Sequence, residues 1–218
     1  MSQIFPPGMN LIVRLTLLAG VVIVVGLAVL AYALIRSPVV TAVGVPQTQP
    51  VPFSHQQHVG GLGLDCRYCH TTVEVSNTAS IPPTETCMGC HAQVATDSVA
   101  LAPVRDSYAN NQPIQWVRVH DLPDYVYFNH AIHVRQGVGC ETCHGRIDQM
   151  PVVAKAHSLQ MDWCLDCHRA PQNQIRPRTA VFTMGWQPPA DQTTMGLQLV
   201  AEYGIHVNQL TDCSVCHR

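Results

Sequence analysis

Ten cysteines fall in five Cys-x-x-Cys-His runs, and this repeated spacing constrains the chain more than any other feature. The runs are Cys66, Cys69 and His70; Cys87, Cys90 and His91; Cys140, Cys143 and His144; Cys164, Cys167 and His168; and Cys213, Cys216 and His217. Two thiols three residues apart can each add to a vinyl group of one haem, while the imidazole of the next residue reaches the iron. Zinc ribbons and redox dithiols also use Cys-x-x-Cys, but neither needs a His after every second Cys. No cysteine is left over for a disulfide. The spacing therefore predicts five covalently bound c-type haems, with all ten cysteines as attachment points and the five following histidines as proximal iron ligands.

This cofactor load dictates the fold class. A chain of 218 residues whose first fifty differ in character from the rest leaves too little polypeptide per haem for an ordinary hydrophobic core. The haems are expected to form the core, wrapped by a loop-rich, mainly irregular and α-helical domain with little β structure. A formal charge of −2 and the lack of any basic run argue against nucleic acid as a partner. Eleven of the twelve basic residues are Arg, Lys155 being the exception, a bias compatible with forked pairing to haem propionates.

Residues 15–35 are apolar and uncharged for about twenty residues, the length a helix needs to cross a bilayer. A cleaved signal peptide would have a shorter apolar region and a small-residue cleavage site, whereas Tyr32, Leu34, Ile35 and Arg36 follow here. The expected organisation is an N-terminal segment and single-pass transmembrane anchor over 1–36, a Pro-rich linker over 37–52 and a multihaem cytochrome domain over 53–218. Arg14 and Arg36 flank the span almost symmetrically and do not orient it. Covalent haem attachment does, because it takes place on the outer face of the energy-conserving membrane. The N-terminus is expected in the cytoplasm of a bacterium and the haem domain on the periplasmic side of its inner membrane.

Phe53, His55, His58 and Val59 recur as Phe128, His130, His133 and Val134 with the same spacing, each set ahead of a Cys-x-x-Cys-His run. A second run follows each, so the chain reads as an internal duplication of di-haem units over about 53–91 and 128–169, with a fifth haem in 170–218. First cysteines of successive runs lie 21, 53, 24 and 49 residues apart, and the short gaps predict haems in close contact. His at i and i+3 project from neighbouring positions on a helix face, so each His-x-x-His pair can serve two adjacent haems. His55, His58, His130 and His133 are thus the expected distal ligands. For the fifth distal position His120 is favoured, with His157, His206, Met150 and Met161 as alternatives, a Met ligand raising the potential of its haem. Tyr68, Trp116, Tyr125, Tyr127, Phe128 and Trp163 flank these runs as packing surfaces.

The Phe-x-His-x-x-His pattern resembles class III multihaem cytochromes. More specifically, the N-terminal span, residues 116–128, the runs at Cys140 and Cys164 and the terminal run at Cys213 resemble the membrane-anchored pentahaem cytochrome c subunit of alternative complex III, a quinol-oxidising assembly. That resemblance implies an electron-transfer subunit of a respiratory or photosynthetic membrane complex, not an enzyme on its own and without catalytic residues. It also implies partners: an iron–sulfur subunit, polytopic quinol-binding subunits, a monohaem cytochrome c and a soluble periplasmic electron carrier. A self-sufficient membrane-anchored quinol dehydrogenase, a subunit of a quinone-reducing complex and a multihaem reductase are the alternatives. A reductase needs an open iron, and seven histidines spare for five positions give no sign of one.

Overall fold

A computed structural model describes residues 5, 6 and 8–217. The chain divides into two compact units, 1–43 and 44–218, and each is described by itself.

In the first unit, helix α1 spans Met9–Arg36 and is followed by the short α2, Pro38–Thr41. The 28 residues of α1 reach about 42 Å at 1.5 Å per residue, more than the roughly 30 Å of a hydrocarbon core. From Leu17 to Ile35 its side chains are apolar around the whole circumference and none is buried, the pattern of a helix whose solvent is lipid or another protein. Of the described helices it is the one long and apolar enough to cross a membrane.

The second unit carries a π-helical turn at Gln56–Gly61, then α3 (Cys66–Cys69), α4 (Thr84–His91), α5 (Ala102–Asn110), α6 (His130–Arg135), α7 (Cys140–His144), α8 (Met161–Arg169), α9 (Gln192–Glu202) and α10 (Cys213–Cys216). Short 3-10 turns and loops join them. Among the described residues there is no sheet; strand-like pairing is confined to isolated bridges such as Pro46 with Ala154 and Val126 with His217. Ile175 and Val181 are the largest fully buried side chains, with Val51, Val73, Val104, Ala131 and Leu199 completing a sparse apolar core. So little buried apolar surface cannot by itself offset the ordering entropy of a unit this long. Macrocycles at the five seats would add the apolar surface that the polypeptide lacks.

The two Phe-x-His-x-x-His runs fold alike because the residue after each Phe caps the helical turn that carries the histidines. Ser54 Oγ accepts from Gln57 N at 3.2 Å and Asn129 Oδ1 from Ile132 N at 3.2 Å, each satisfying an N–H that the first turn leaves unpaired. The first run continues as the π-helical turn and the second as α6, and π-helical turns concentrate at functional positions. Gly60 in the π-helical turn sits against the carbonyl of Asp148, where any Cβ would clash, so the two segments approach only because this residue is glycine.

The segment from 170 to 186 folds back over α7. Arg176 N donates to Gly137 O at 2.8 Å, and Val181 O accepts from Cys140 N at 3.2 Å. The buried Arg176 side chain donates from Nη1 to Glu141 Oε1 at 2.9 Å and to Thr183 O at 3.2 Å, with its guanidinium 4.6 Å from the Trp186 ring centroid. Glu141 also accepts from Gly185 N at 2.6 Å and from Trp186 N at 3.1 Å. This buried ion pair locks the tail onto the helix that carries Cys140, Cys143 and His144.

Candidate haem-attachment and iron-ligand sites

Every Cys-x-x-Cys pair lies on a helical turn, in α3, α4, α7, α8 and α10. Residues three apart on a helix share a face, so both thiols of a pair point to the same side, and the helix ends at or soon after the histidine that follows. His70 N and His217 N still bond Cys66 O and Cys213 O, at 2.8 and 2.9 Å, which keeps the imidazole close to its own cysteine pair. None of the ten cysteines is paired in a disulfide.

The imidazoles are then oriented by backbone carbonyls. Nδ1 of His70 bonds Ser80 O at 2.7 Å, that of His91 bonds Val94 O at 3.1 Å, that of His168 bonds Leu210 O at 2.9 Å and that of His217 bonds Tyr125 O at 3.3 Å. On the other set, Nδ1 of His58 bonds Ser54 O at 2.8 Å, that of His133 bonds Asn129 O at 2.7 Å and that of His130 bonds Asn77 O at 3.0 Å. A carbonyl can only accept, so each Nδ1 carries the proton and Nε2 keeps its lone pair free. That tautomer, fixed by a carbonyl behind the ring, is the arrangement of a metal-ligating histidine.

Three imidazole pairs stand at one spacing, with the planes of His58 and His91 crossing at 65° and those of His130 with His144 and His133 with His168 at 10° and 28°. Ring centroids are 6.1 Å apart for His58 and His91, 6.4 Å for His130 and His144, and 6.2 Å for His133 and His168. Two imidazoles bound to one metal at about 2 Å on either side have centroids roughly 6 Å apart. Among the described residues no three His, Cys, Asp or Glu side chains converge into a metal-binding cluster. Two imidazoles per centre suit a metal whose other four donors come from a porphyrin. The residues present therefore fit c-type haems: the cysteines would attach the macrocycles and the paired imidazoles would hold the irons.

The two Phe-x-His-x-x-His runs also pack alike. Phe53 stacks on His58 at 4.4 Å and 28° and meets His55 edge-on at 4.9 Å and 90°. Phe128 repeats this with His133 at 4.4 Å and 29° and with His130 at 4.7 Å and 90°. The Phe of each run thus fixes both ring planes. Burial lowers the pKa of His133, pushes those of His55 and His120 down to about 4 and that of His144 to about 3, with neighbouring charged imidazoles adding to the effect at His55 and His144. The neutral form that metal ligation requires is thereby the stable one.

The candidates for a fifth distal ligand are spread out. His120 lies edge-on to His144 at 4.3 Å, and its Nε2 is buried without a hydrogen-bond partner. His157 stacks on Trp163 at 5.1 Å. His206 precedes the 3-10 turn Val207–Gln209. Met161 opens α8 and is 65% exposed, and the backbone of Met150 accepts from Gln56 N at 3.0 Å. The ring beside His217 is that of Tyr125, 5.8 Å away. Sequence reasoning missed the Glu141 and Arg176 pair, and also Ser54, Asn129 and Asn77. A Ser or Asn directly ahead of a helical run is a readable cap signal, whereas nothing local marks Asn77 or Arg176.

Helical cysteine pairs with an adjoining imidazole, paired imidazoles and a sheet-free, loop-rich domain define a multihaem c-type cytochrome. The chain matches the model of cytochrome c7 and related cytochrome c over residues 51–105 and 126–218, and it belongs to that family. The two matched stretches divide between the two Phe-x-His-x-x-His runs. The chain is also 34% identical over 97 residues to the menaquinone reductase, multiheme cytochrome c subunit of Nitratidesulfovibrio vulgaris (strain Hildenborough). That alignment covers 44% of this chain and 45% of the relative, so the similarity spans less than half the length of either protein.

Proposed function

We propose that this chain is the five-haem electron-transfer subunit of a quinol-oxidising membrane complex of the alternative complex III type. The observation that carries the reading is the set of three imidazole pairs 6.1 to 6.4 Å apart, because an iron held between two imidazoles would exchange electrons and offer no position to a substrate. The ligand set would be His70, His91, His144, His168 and His217 on one face, with His55, His58, His130 and His133 on the other. The fifth distal donor comes from the field of His120, His157, His206, Met150 and Met161.

Bound haem supplies reversible one-electron oxidation and reduction of iron. The chain's own residues do the rest. The cysteines would hold the group covalently, the imidazoles would ligate its iron, and the carbonyls behind Nδ1 fix the orientation of each ring. In this reading the chain carries single electrons, and two-electron quinone chemistry belongs to partner subunits. Those partners are an iron–sulfur subunit, polytopic quinol-binding subunits and a monohaem cytochrome c, with a soluble periplasmic carrier as acceptor. Helix α1 anchors the chain with its N-terminus in the cytoplasm and the haem domain over 53–218 in the periplasm.

A second reading, a subunit of a quinone-reducing complex, is favoured by the menaquinone reductase relative. The two differ in the direction of electron flow and share the same sites. Purification of the native complex in mild detergent should yield the chain with an iron–sulfur subunit, and quinol should reduce its haems. Alkaline carbonate should leave the chain in the membrane pellet. Release by carbonate would contradict the anchor, and reduction of quinone in place of its oxidation would select the second reading. The isolated chain should accept electrons from dithionite and return them to a soluble cytochrome without turning over nitrite or hydroxylamine.

A further inference from the structure

The five seats, numbered here in chain order, touch in a different order in space. The first Phe-x-His-x-x-His run ties seat 1 to seat 2. His55 is close enough to His70 to feel its charge, the ring of His58 lies 6.1 Å from that of His91, and Cys69 lies near Cys87. The second run ties seat 3 to seat 4 in the same way, with His130 facing His144, His133 facing His168 and Cys143 near Cys164 and Cys167.

The two halves join through seat 1. Cys66 and Cys140 lie close to each other. The loop after seat 1 caps the second run, with Asn77 O accepting from His130 N at 3.2 Å and from its Nδ1 at 3.0 Å, and Ser76 O accepting from Ala131 N at 3.0 Å. His144 also lies within electrostatic reach of His70 and His55. Seat 5 joins through seat 4, since His168 Nδ1 bonds Leu210 O at 2.9 Å and Cys164 lies near Cys216. Exposure of the thiols agrees. Cys90 in seat 2 and Cys213 in seat 5 are the two exposed cysteines, and the other eight are partly covered by polypeptide.

We propose that electrons cross the domain in the order seat 2, seat 1, seat 3, seat 4, seat 5, and that seats 2 and 5 are the ends at which partners exchange electrons. Seat 1, first in the sequence, is an interior relay. One electron passed from a reduced one-electron donor at one end to an oxidised one-electron carrier at the other leaves the chain as it was. The donor is oxidised, the carrier is reduced, and no proton or bond changes hands. This inference rests on the electron-transfer reading above and adds the path.

The test uses the full-length chain in detergent with a photoreductant attached at Gln209→Cys, beside the fifth seat, and counts the irons reduced in the fast phase by their absorbance. In the labelled chain with all seats intact, every iron should fill. Removing seat 2 with C87A/C90A should leave all remaining irons in the fast phase. Removing seat 1 with C66A/C69A should strand the iron of seat 2, slowing its reduction at least a hundredfold. Stranding of seat 1 in C87A/C90A, with all irons filling in C66A/C69A, would overturn the order in favour of the sequence order. If either cysteine variant fails to mature, ligand variants keep every haem and raise one potential. His55→Met should then slow the filling of seat 2, whereas His58→Met should not slow that of seat 1, and the reverse outcome would overturn the order. If light reduces nothing beyond seat 5 in the intact chain, the electron-transfer reading itself fails.

Discussion

His130→Ala should convert one iron from six-coordinate and low-spin to high-spin, and shift its midpoint potential by on the order of 0.1 V, a modest part of the roughly 0.8 V range that axial ligands command. The imidazole of His130 faces His144 with nearly parallel planes, 10° apart, and a carbonyl of the preceding unit holds its Nδ1. Alanine removes the donor without disturbing Cys140, Cys143 or His144, so covalent attachment should survive and the haem count should stay unchanged. The Asn129 cap and the Phe128 stack on His133 do not depend on the lost ring, which confines the effect to one centre. Visible and electron paramagnetic resonance spectra with a potentiometric titration check this. An unchanged low-spin spectrum with every midpoint in place would remove His130 from the ligand set. The neighbouring His120, edge-on to His144 with an unpartnered Nε2, is the side chain to replace next if a low-spin signal persists.

Arg176→Met should lower the stability of the domain by up to about 3–5 kcal/mol, because it leaves the buried Glu141 carboxylate with only the half-exposed Arg146 guanidinium, 4.0 Å away, as its cation. Both side chains are well covered, 5% and 12% exposed, so solvent screens the pair little. For a domain of this size a loss of this order lowers the apparent unfolding temperature by roughly 10–15 °C. Glu141 keeps the backbone donors of Gly185 and Trp186, so part of its charge remains satisfied. Combining Arg176→Met with Glu141→Gln removes the buried charge and should recover part of the loss, an interaction that a double-mutant cycle measures. Thermal unfolding followed by far-ultraviolet circular dichroism is the readout. Independent, additive losses from the two single changes would show that the pair does not act as a unit. Since the pair fastens the tail to α7, loading of the third haem during maturation should fall in Arg176→Met as well.

The helical, loop-rich, sheet-free architecture is legible because it follows from the five Cys-x-x-Cys-His runs alone: chemistry at that density leaves no room for strands and an ordinary core. The N-terminal helix is legible from length and apolarity. Each seat's local form is legible too, since a three-residue spacing before a histidine suits one helical turn. What spacing does not carry is contact across the chain. Which imidazole faces which depends on how the loops between 91 and 130 and between 168 and 213 return, and no local pattern encodes that path. Asn77 supplies its backbone carbonyl to His130, a role any residue type can fill, so its side chain gives no sign of it. Glu141 and Arg176 stand 35 residues apart and meet only once the tail has folded back. The arginine bias suits propionates, yet Arg176, Arg146 and Arg67 direct their forks to Glu141, Asp148 and Asp65. For an exposed pair such as Arg67 with Asp65 the contribution to stability is small.

The central claim is that one polypeptide stores and passes on one electron at each of five capped irons. Coulometric reductive titration of the purified full-length chain, followed in the visible spectrum, tests it most directly. The account predicts five one-electron equivalents per chain, a low-spin spectrum throughout, and full recovery of those electrons by an oxidised soluble cytochrome. Uptake of four or fewer equivalents, or a fraction of iron that turns high-spin and binds nitrite during the titration, would contradict it.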